Sequence, residues 1–151
     1  MKWAKYLPEP YFSRITQGFA VPNPLYTISG HHMGVDHGTQ GNKYVPIFMP
    51  CDGRITRHIL NHPVLGNCAI ILSADEKWAF RFPHMVQKPA AVGAYKAGEW
   101  IGTVGNTGLS QGEHCHAEAW KGGYVLPAKI KDRASILEYC VDAHDLVTKN
   151  L

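Results

Sequence analysis

Two short groups of residues carry side chains whose types and spacing could do chemistry. His114-Cys115-His116 lies in a stretch, Gly102 to Trp120, that reads as a strand end, a glycine-rich loop and a second strand. Alternate side chains of a strand share a face, so His114 and His116 project together while Cys115 points the other way. Two imidazoles side by side on a strand supply half of a metal site or an acid–base pair. The second group is His32-Met33-Gly34-Val35-Asp36. On a straight strand His32 and Asp36 would stand about 13 Å apart, too far to share an ion held by bonds of about 2 Å. A chain bent at Gly34 brings imidazole and carboxylate together, and a nitrogen with an oxygen ligand suits zinc. Taken alone, either spacing also fits packed or exposed histidines and a polar surface loop.

The elements that must position these groups are short strands. Fifteen glycines and ten prolines punctuate the 151 residues and predict a mainly β chain with many turns. Residues 1–10 read as a loosely held lead-in, Tyr11 to Thr16 as a first strand, and Lys43 to Met49 as an edge strand because Pro46 cannot donate to a ladder. Asp52-Gly53 is a hairpin signal. Arg54 to Leu60 pairs with Cys68 to Ser73 across Asn61–Asn67. In Trp78 to Met85 the residues Trp78, Phe80, Phe82 and His84 share one parity, which also makes His84 a candidate core histidine. Ala94 to Glu99 reads as a turn and Trp100 to Val104 as a short strand. One C-terminal helix is expected over about 134–148, opened by a Ser135–Glu138 capping box and laying Ile136, Leu137, Cys140, Val141, His144 and Val147 on the sheet.

Composition narrows the functional classes. The net charge of +3 comes without a Lys/Arg cluster, so nucleic acid is not an expected partner. No apolar run reaches the about 20 residues of a membrane span. Met1 to Phe12 carries Lys2 and Lys5 with Pro8, Glu9 and Pro10 behind them, so no secretory signal peptide is expected. Cys51, Cys68, Cys115 and Cys140 lack Cys-x-x-Cys spacing and are expected as buried, reduced thiols.

The surroundings of the two groups make a resemblance specific. His32-Met33-Gly34-Val35-Asp36 resembles the His-x-Gly-x-Asp signature of the lysostaphin-type (M23, LytM-like) zinc metallopeptidases, and His114-Cys115-His116 their His-x-His. Arg14 to Phe19, Val45 to Ile55, Phe82-Pro83-His84-Met85 and Lys96 to Gly108 are similar to family segments in the same order, so the likeness spans about residues 11–120 of a single peptidase domain, 1–151. It implies a twisted antiparallel sheet or β-sandwich with a groove that holds one Zn2+. By motif, His32, Asp36 and His116 would be the ligands, with a fourth position left for water. His84 and His114 would stand beside the metal, and Tyr26 falls where some members place an oxyanion-assisting tyrosine. His31 and His37 are the remaining histidines that could line the cleft; His58, His62 and His144 match no family position.

The implied activity is hydrolysis of peptide bonds in bacterial peptidoglycan, in stem or cross-bridge peptides. Zinc lowers the pKa of bound water from about 16 to about 7. One of His84 and His114 then serves as general base and acid, and the other stabilises the oxyanion. Residues 17–31 and 61–67 are the expected groove walls. Without a signal peptide, action at the wall implies delivery by a phage, through a holin or within the virion. Two rivals remain at this level: a metal-free wall-binding or regulatory module of the same fold, and a phosphocarrier-type β-sandwich with paired histidines, which has no need of Asp36 after His32.

Overall fold

A computed structural model describes residues 1–151. Ten strands run in chain order as β1 (Ile15–Gln17), β2 (Val35–Gly38), β3 (Pro46–Phe48), β4 (Gly53–His62), β5 (Gly66–Ser73), β6 (Trp78–Met85), β7 (Gly93–Tyr95), β8 (Trp100–Thr103), β9 (His114–Lys121) and β10 (Cys140–Val141). Helix α1 (Arg133–Tyr139) precedes β10 and α2 (Ala143–Asn150) follows it. The main sheet has the order β1-β2-β9-β6-β5-β4-β7, with β10 also on β9, while β3 and β8 form a separate two-stranded sheet. Every pairing is antiparallel. No helix is long and apolar enough to cross a membrane.

The expected pairing of Arg54–Leu60 with Cys68–Ser73 is the β4–β5 hairpin. One face of the sheet builds the larger core, in which Ile55, Ile71, Phe80, Phe82, Ala117 and Ala119 meet Ile47 and Ile101 of the small sheet. The opposite face carries the polar residues of β2, β6 and β9, and at one end it is closed by a second apolar cluster of Ala79, Trp120, Ile130, Ile136 and Cys140.

Several local expectations are corrected. The lead-in is tied down: Ala4 donates to the Pro50 carbonyl and Asp52 to that of Lys2, and Tyr6 and Leu7 are fully buried. Residues 8–14 form turns, with Tyr11 and Phe12 both donating to Pro8, so the first strand shrinks to Ile15–Gln17. Asp52-Gly53 makes no hairpin. Its carboxylate accepts from the backbone of Lys2 and Ala97, and β4 leaves that corner to pair with β5 and β7. Ala94 and Tyr95, read as the start of a turn, belong to the edge strand Gly93–Tyr95 on β4.

The C-terminal helix is two helices. Asp132, not Ser135, caps α1, and Ser135 at the third position returns the bond to the Asp132 backbone. The helix stops because Cys140 is extended (φ −123°, ψ 163°) and Cys140–Val141 pair with Trp120–Ala119. On that edge of β9, β2 covers only His114–Ala117, and β10 takes over beyond it. Leu137, expected on the sheet, is instead 40% exposed.

Candidate metal centre and cleft

The ladder between β2 and β9 sets Asp36 directly opposite His116, and their side chains share a face. His32 arrives from the loop before β2, where its backbone exchanges hydrogen bonds with Ala20 and Val21. Three atoms converge: His116 Nδ1 lies 2.8 Å and His32 Nε2 3.2 Å from Asp36 Oδ1, and the two nitrogens are 3.1 Å apart. His32 and His116 are buried, and Asp36 keeps 17% of its side chain exposed.

The outer nitrogens decide what these inner atoms are. His32 Nδ1–H donates to the Gly18 carbonyl at 2.9 Å, and His116 Nε2–H donates to Glu118 Oε1 at 3.0 Å. Each neutral ring then presents a lone pair to the carboxylate. Three lone-pair donors in a buried triangle repel one another unless a positive charge lies among them. Tetrahedral zinc with bonds of about 2.0–2.1 Å holds its ligand atoms about 3.3 Å apart, so this donor set fits such an ion. A second proton on His116 is the alternative source of that positive charge. Burial disfavours a charged His116, yet hydrogen bonds to Asp36 and Glu118 carry its pKa up to about 9. Burial likewise opposes the Asp36 carboxylate, and hydrogen bonds from His116 and His32 hold its pKa well below the usual range.

The chain bends at Met33-Gly34 as expected, and Gly34 has a second role. Its φ is not among the positive ones; what it supplies is room. A Cβ there would sit 2.5 Å from the Ala117 carbonyl oxygen and 2.9 Å from His116 Nε2.

His84 and His114 flank the triangle. Parity along β6 would have put His84 with Phe80 and Phe82, inside the core. Between the pairs Ala69–Phe82 and Asn67–Met85, however, β6 carries an extra residue, and His84 adopts φ +64°. This bulge turns the imidazole to the opposite face, with its ring centroid 5.4 Å from that of His114 and 6.4 Å from that of His116. His84 Nδ1–H donates to the Thr107 carbonyl and His114 Nδ1–H to that of Gly112, both at 2.8 Å. Both Nε2 atoms are left as acceptors, that of His114 lying 3.8 Å from Asp36 Oδ1. Burial, helped by the neighbouring histidines, pushes the His84 pKa down to about 4 and keeps it neutral. The loop that supplies these carbonyls is pinned in turn. Thr107 Oγ1 donates to Met85 and accepts from the Asn67 amide, and Gly108 (φ +75°) packs on the Gly66 backbone where a Cβ would collide.

A cleft of about 830 Å³ opens over these groups, between Asn23–Ser29 on one side and Val64–Leu65 with Leu109–Glu113 on the other. Those walls fall within the expected segments 17–31 and 61–67, with Leu109–Glu113 added. Tyr26 lines the cleft and meets the His32 ring edge-on at 5.5 Å between centroids. Its burial, with Glu118 and Asp36 nearby, raises the phenol pKa far above the ordinary value, so it remains a proton donor. His31 and His37 do not line the cleft: His31 Nδ1 bonds the Ser29 carbonyl, and His37 points into the core against Tyr6. His58, His62 and His144 also lie elsewhere, at Ala90, at the turn 62–65 and on Phe12.

Sequence reading missed Arg81 and Glu118, which lie at the floor of the cleft as a buried ion pair, with Arg81 Nε 2.6 Å from Glu118 Oε2. The signal was available, since Glu118 continues the His114, His116 alternation.

Residues 30–127 match the model of peptidase family M23. No curated protein sequence matches the chain. Among solved structures, the catalytic domain of the antimicrobial peptidase lysostaphin from Staphylococcus simulans is 21% identical at a TM-score of 0.74, covering 94% of this chain and 98% of that one. Of the full lysostaphin chain, 55% is covered. LytU is 27% identical at a TM-score of 0.71, over 98% of this chain and 91% of its own. A zinc-containing peptidase from Vibrio cholerae is 23% identical at a TM-score of 0.72, over 95% of this chain but only 40% of its own.

Proposed function

The chain belongs to peptidase family M23, and on that premise we propose that it is a zinc-dependent endopeptidase acting on the peptides of bacterial peptidoglycan. The observation that carries this reading is the triangle of His32 Nε2, Asp36 Oδ1 and His116 Nδ1, open to a cleft in which two further imidazoles present free Nε2 atoms. The likeness to an antimicrobial peptidase supports a wall peptide as substrate.

His32, Asp36 and His116 would hold the zinc, which when bound supplies Lewis acidity and brings the pKa of water down to about 7. The chain's own groups do the rest. One of the two Nε2 atoms, on His84 or His114, accepts the proton of the attacking water and returns it to the departing amine. Fixing both Nδ1 protons on backbone carbonyls keeps those Nε2 atoms available before substrate arrives. The Tyr26 phenol donates to the oxyanion that develops on the attacked carbonyl, and the partner imidazole does so once its Nε2 is protonated. Apolar side chains at the mouth, Leu25, Ile28, Val64 and Leu109, border the path of an extended peptide.

Digestion of purified walls of several chemotypes, with mass spectrometry of the released fragments, tests the reading. Chelator-sensitive release of fragments with new amino termini is expected, and His116→Ala should lose bound zinc and release together. Undiminished cleavage by that variant would overturn the assignment, and a protein that binds walls without cutting them would be the non-catalytic module instead.

A further inference from the structure

His116 sits between two carboxylates, and a cation at its Nδ1 requires that the ring's one remaining proton stay on Nε2. Asp36 Oδ1 faces its Nδ1 at 2.8 Å and Glu118 Oε1 faces its Nε2 at 3.0 Å. If the proton resides on Nδ1, it points at Asp36 and fills the corner of the triangle that a cation needs. If it resides on Nε2, that corner holds a lone pair. We infer that Glu118, clamped by Arg81 and Trp120, is a positioning residue that locks His116 into the Nε2–H tautomer and so sets the affinity of the centre for its metal. The inference rests on reading the cleft as a metal centre, and it concerns residues outside the ligand set.

The clamp is complete. Glu118 Oε1 accepts from His116 Nε2 and from Arg81 Nη2, both at 3.0 Å. Oε2 accepts from Arg81 Nε at 2.6 Å and from Trp120 Nε1 at 3.0 Å. Four donors occupy the four lone-pair directions of a carboxylate that is 1% exposed, so it has no freedom to rotate away. The forked contact with Arg81 keeps the carboxylate ionised, and an ionised carboxylate accepts without donating. A second feature of the chain is shaped around the same contact. A Cβ at Gly34 would stand 2.9 Å from His116 Nε2 and 3.0 Å from Glu118 Cγ, so the absent side chain leaves that hydrogen bond undisturbed. Outer carboxylates on ligating histidines commonly carry about 10–100-fold in metal affinity.

The test compares two double variants that remove both buried charges together, so that neither leaves an unpaired ion. Zinc dissociation constants are measured by competition with a chromophoric chelator. Arg81→Met with Glu118→Leu deletes the acceptor and is expected to weaken zinc binding about 10–100-fold. Arg81→Met with Glu118→Gln restores an acceptor oxygen and is expected to return affinity to within about threefold of wild type. In the zinc-loaded wild type, NMR should show a His116 Nε2 proton protected from exchange; its absence would overturn the inference whatever the variants do. Wild-type affinity in the leucine pair, or no recovery in the glutamine pair, would overturn it as well. A wild type that takes up no zinc would bring down the metal-centre reading itself, and this inference with it.

Discussion

The two faces of the β2–β9 ladder bear histidines on adjacent rungs that have opposite chemistry. On the cleft face His116 lies opposite Asp36; on the other, His37 lies opposite Cys115. Both imidazoles are almost wholly buried, at 3% and 0% exposure, so burial does not separate them. What separates them is the partner at each nitrogen. His37 Nδ1–H donates to the Tyr11 carbonyl, and Nε2 accepts the Tyr6 hydroxyl at 2.7 Å. Neutral groups satisfy both nitrogens, Phe12 stacks on the ring, and burial pushes the pKa down to about 4. His116 has a carboxylate at each nitrogen and its pKa rises to about 9. One environment closes a histidine; the other leaves it short of a positive charge.

The contrast breaks most completely at the triangle. His32→Ala and Asp36→Ala should each take bound zinc from one equivalent to none by elemental analysis and leave wall cleavage at background. Retained zinc in either variant would remove that residue from the ligand set. Next in size, His84→Ala and His114→Ala should lower kcat about 10²–10⁴-fold, the usual worth of a positioned acid or base, while zinc content stays at one. Parallel loss of zinc would make them ligands.

On the closed face the effects move from activity to stability. Tyr6→Phe strands the buried His37 Nε2 without its donor and should cost about 1–3 kcal/mol in urea unfolding, with zinc content and kcat unchanged. The thiols add a dependence on pH. Burial pushes Cys51, Cys68 and Cys140 from an ordinary 9.0 up to about 12, and Cys115 higher still. Unfolded chains release these protons near pH 9 while the folded chain holds them. This contribution to stability is therefore intact below about pH 9 and lost as pH rises toward 12. A urea midpoint that stays level between pH 8 and 10.5 would contradict it.

The cleft was more legible in the sequence than the scaffold around it. The family resemblance picked out His32, Asp36, His84, His114, His116 and Tyr26, and the chain gathers all six around one cleft. Why they meet was not legible. The side of β6 taken by His84 depends on one extra residue in a bulge, which alternation alone assigns to the core. The bend at Gly34 was legible, but the space it leaves for atoms of a strand more than eighty residues away was not. The lead-in looked loose because its partners, Pro50, Phe48 and His37, are distant in sequence. The helix break at Cys140 has the same origin, since helical periodicity runs through it and only the free edge of β9 explains the extended backbone. Local patterns report local preferences; these four features are set by contacts made after the chain has come together.

Strand β10 has a further consequence for how the molecule behaves among its own copies. By occupying the backbone of Ala119 and Trp120 beyond the reach of β2, it removes the last open rung in the middle of the sheet. A chain ending before Cys140 would display that rung beside an uncovered indole, and open rungs recruit strands from other molecules. The C-terminal segment thus acts as a guard against self-association as well as a lid on the smaller core.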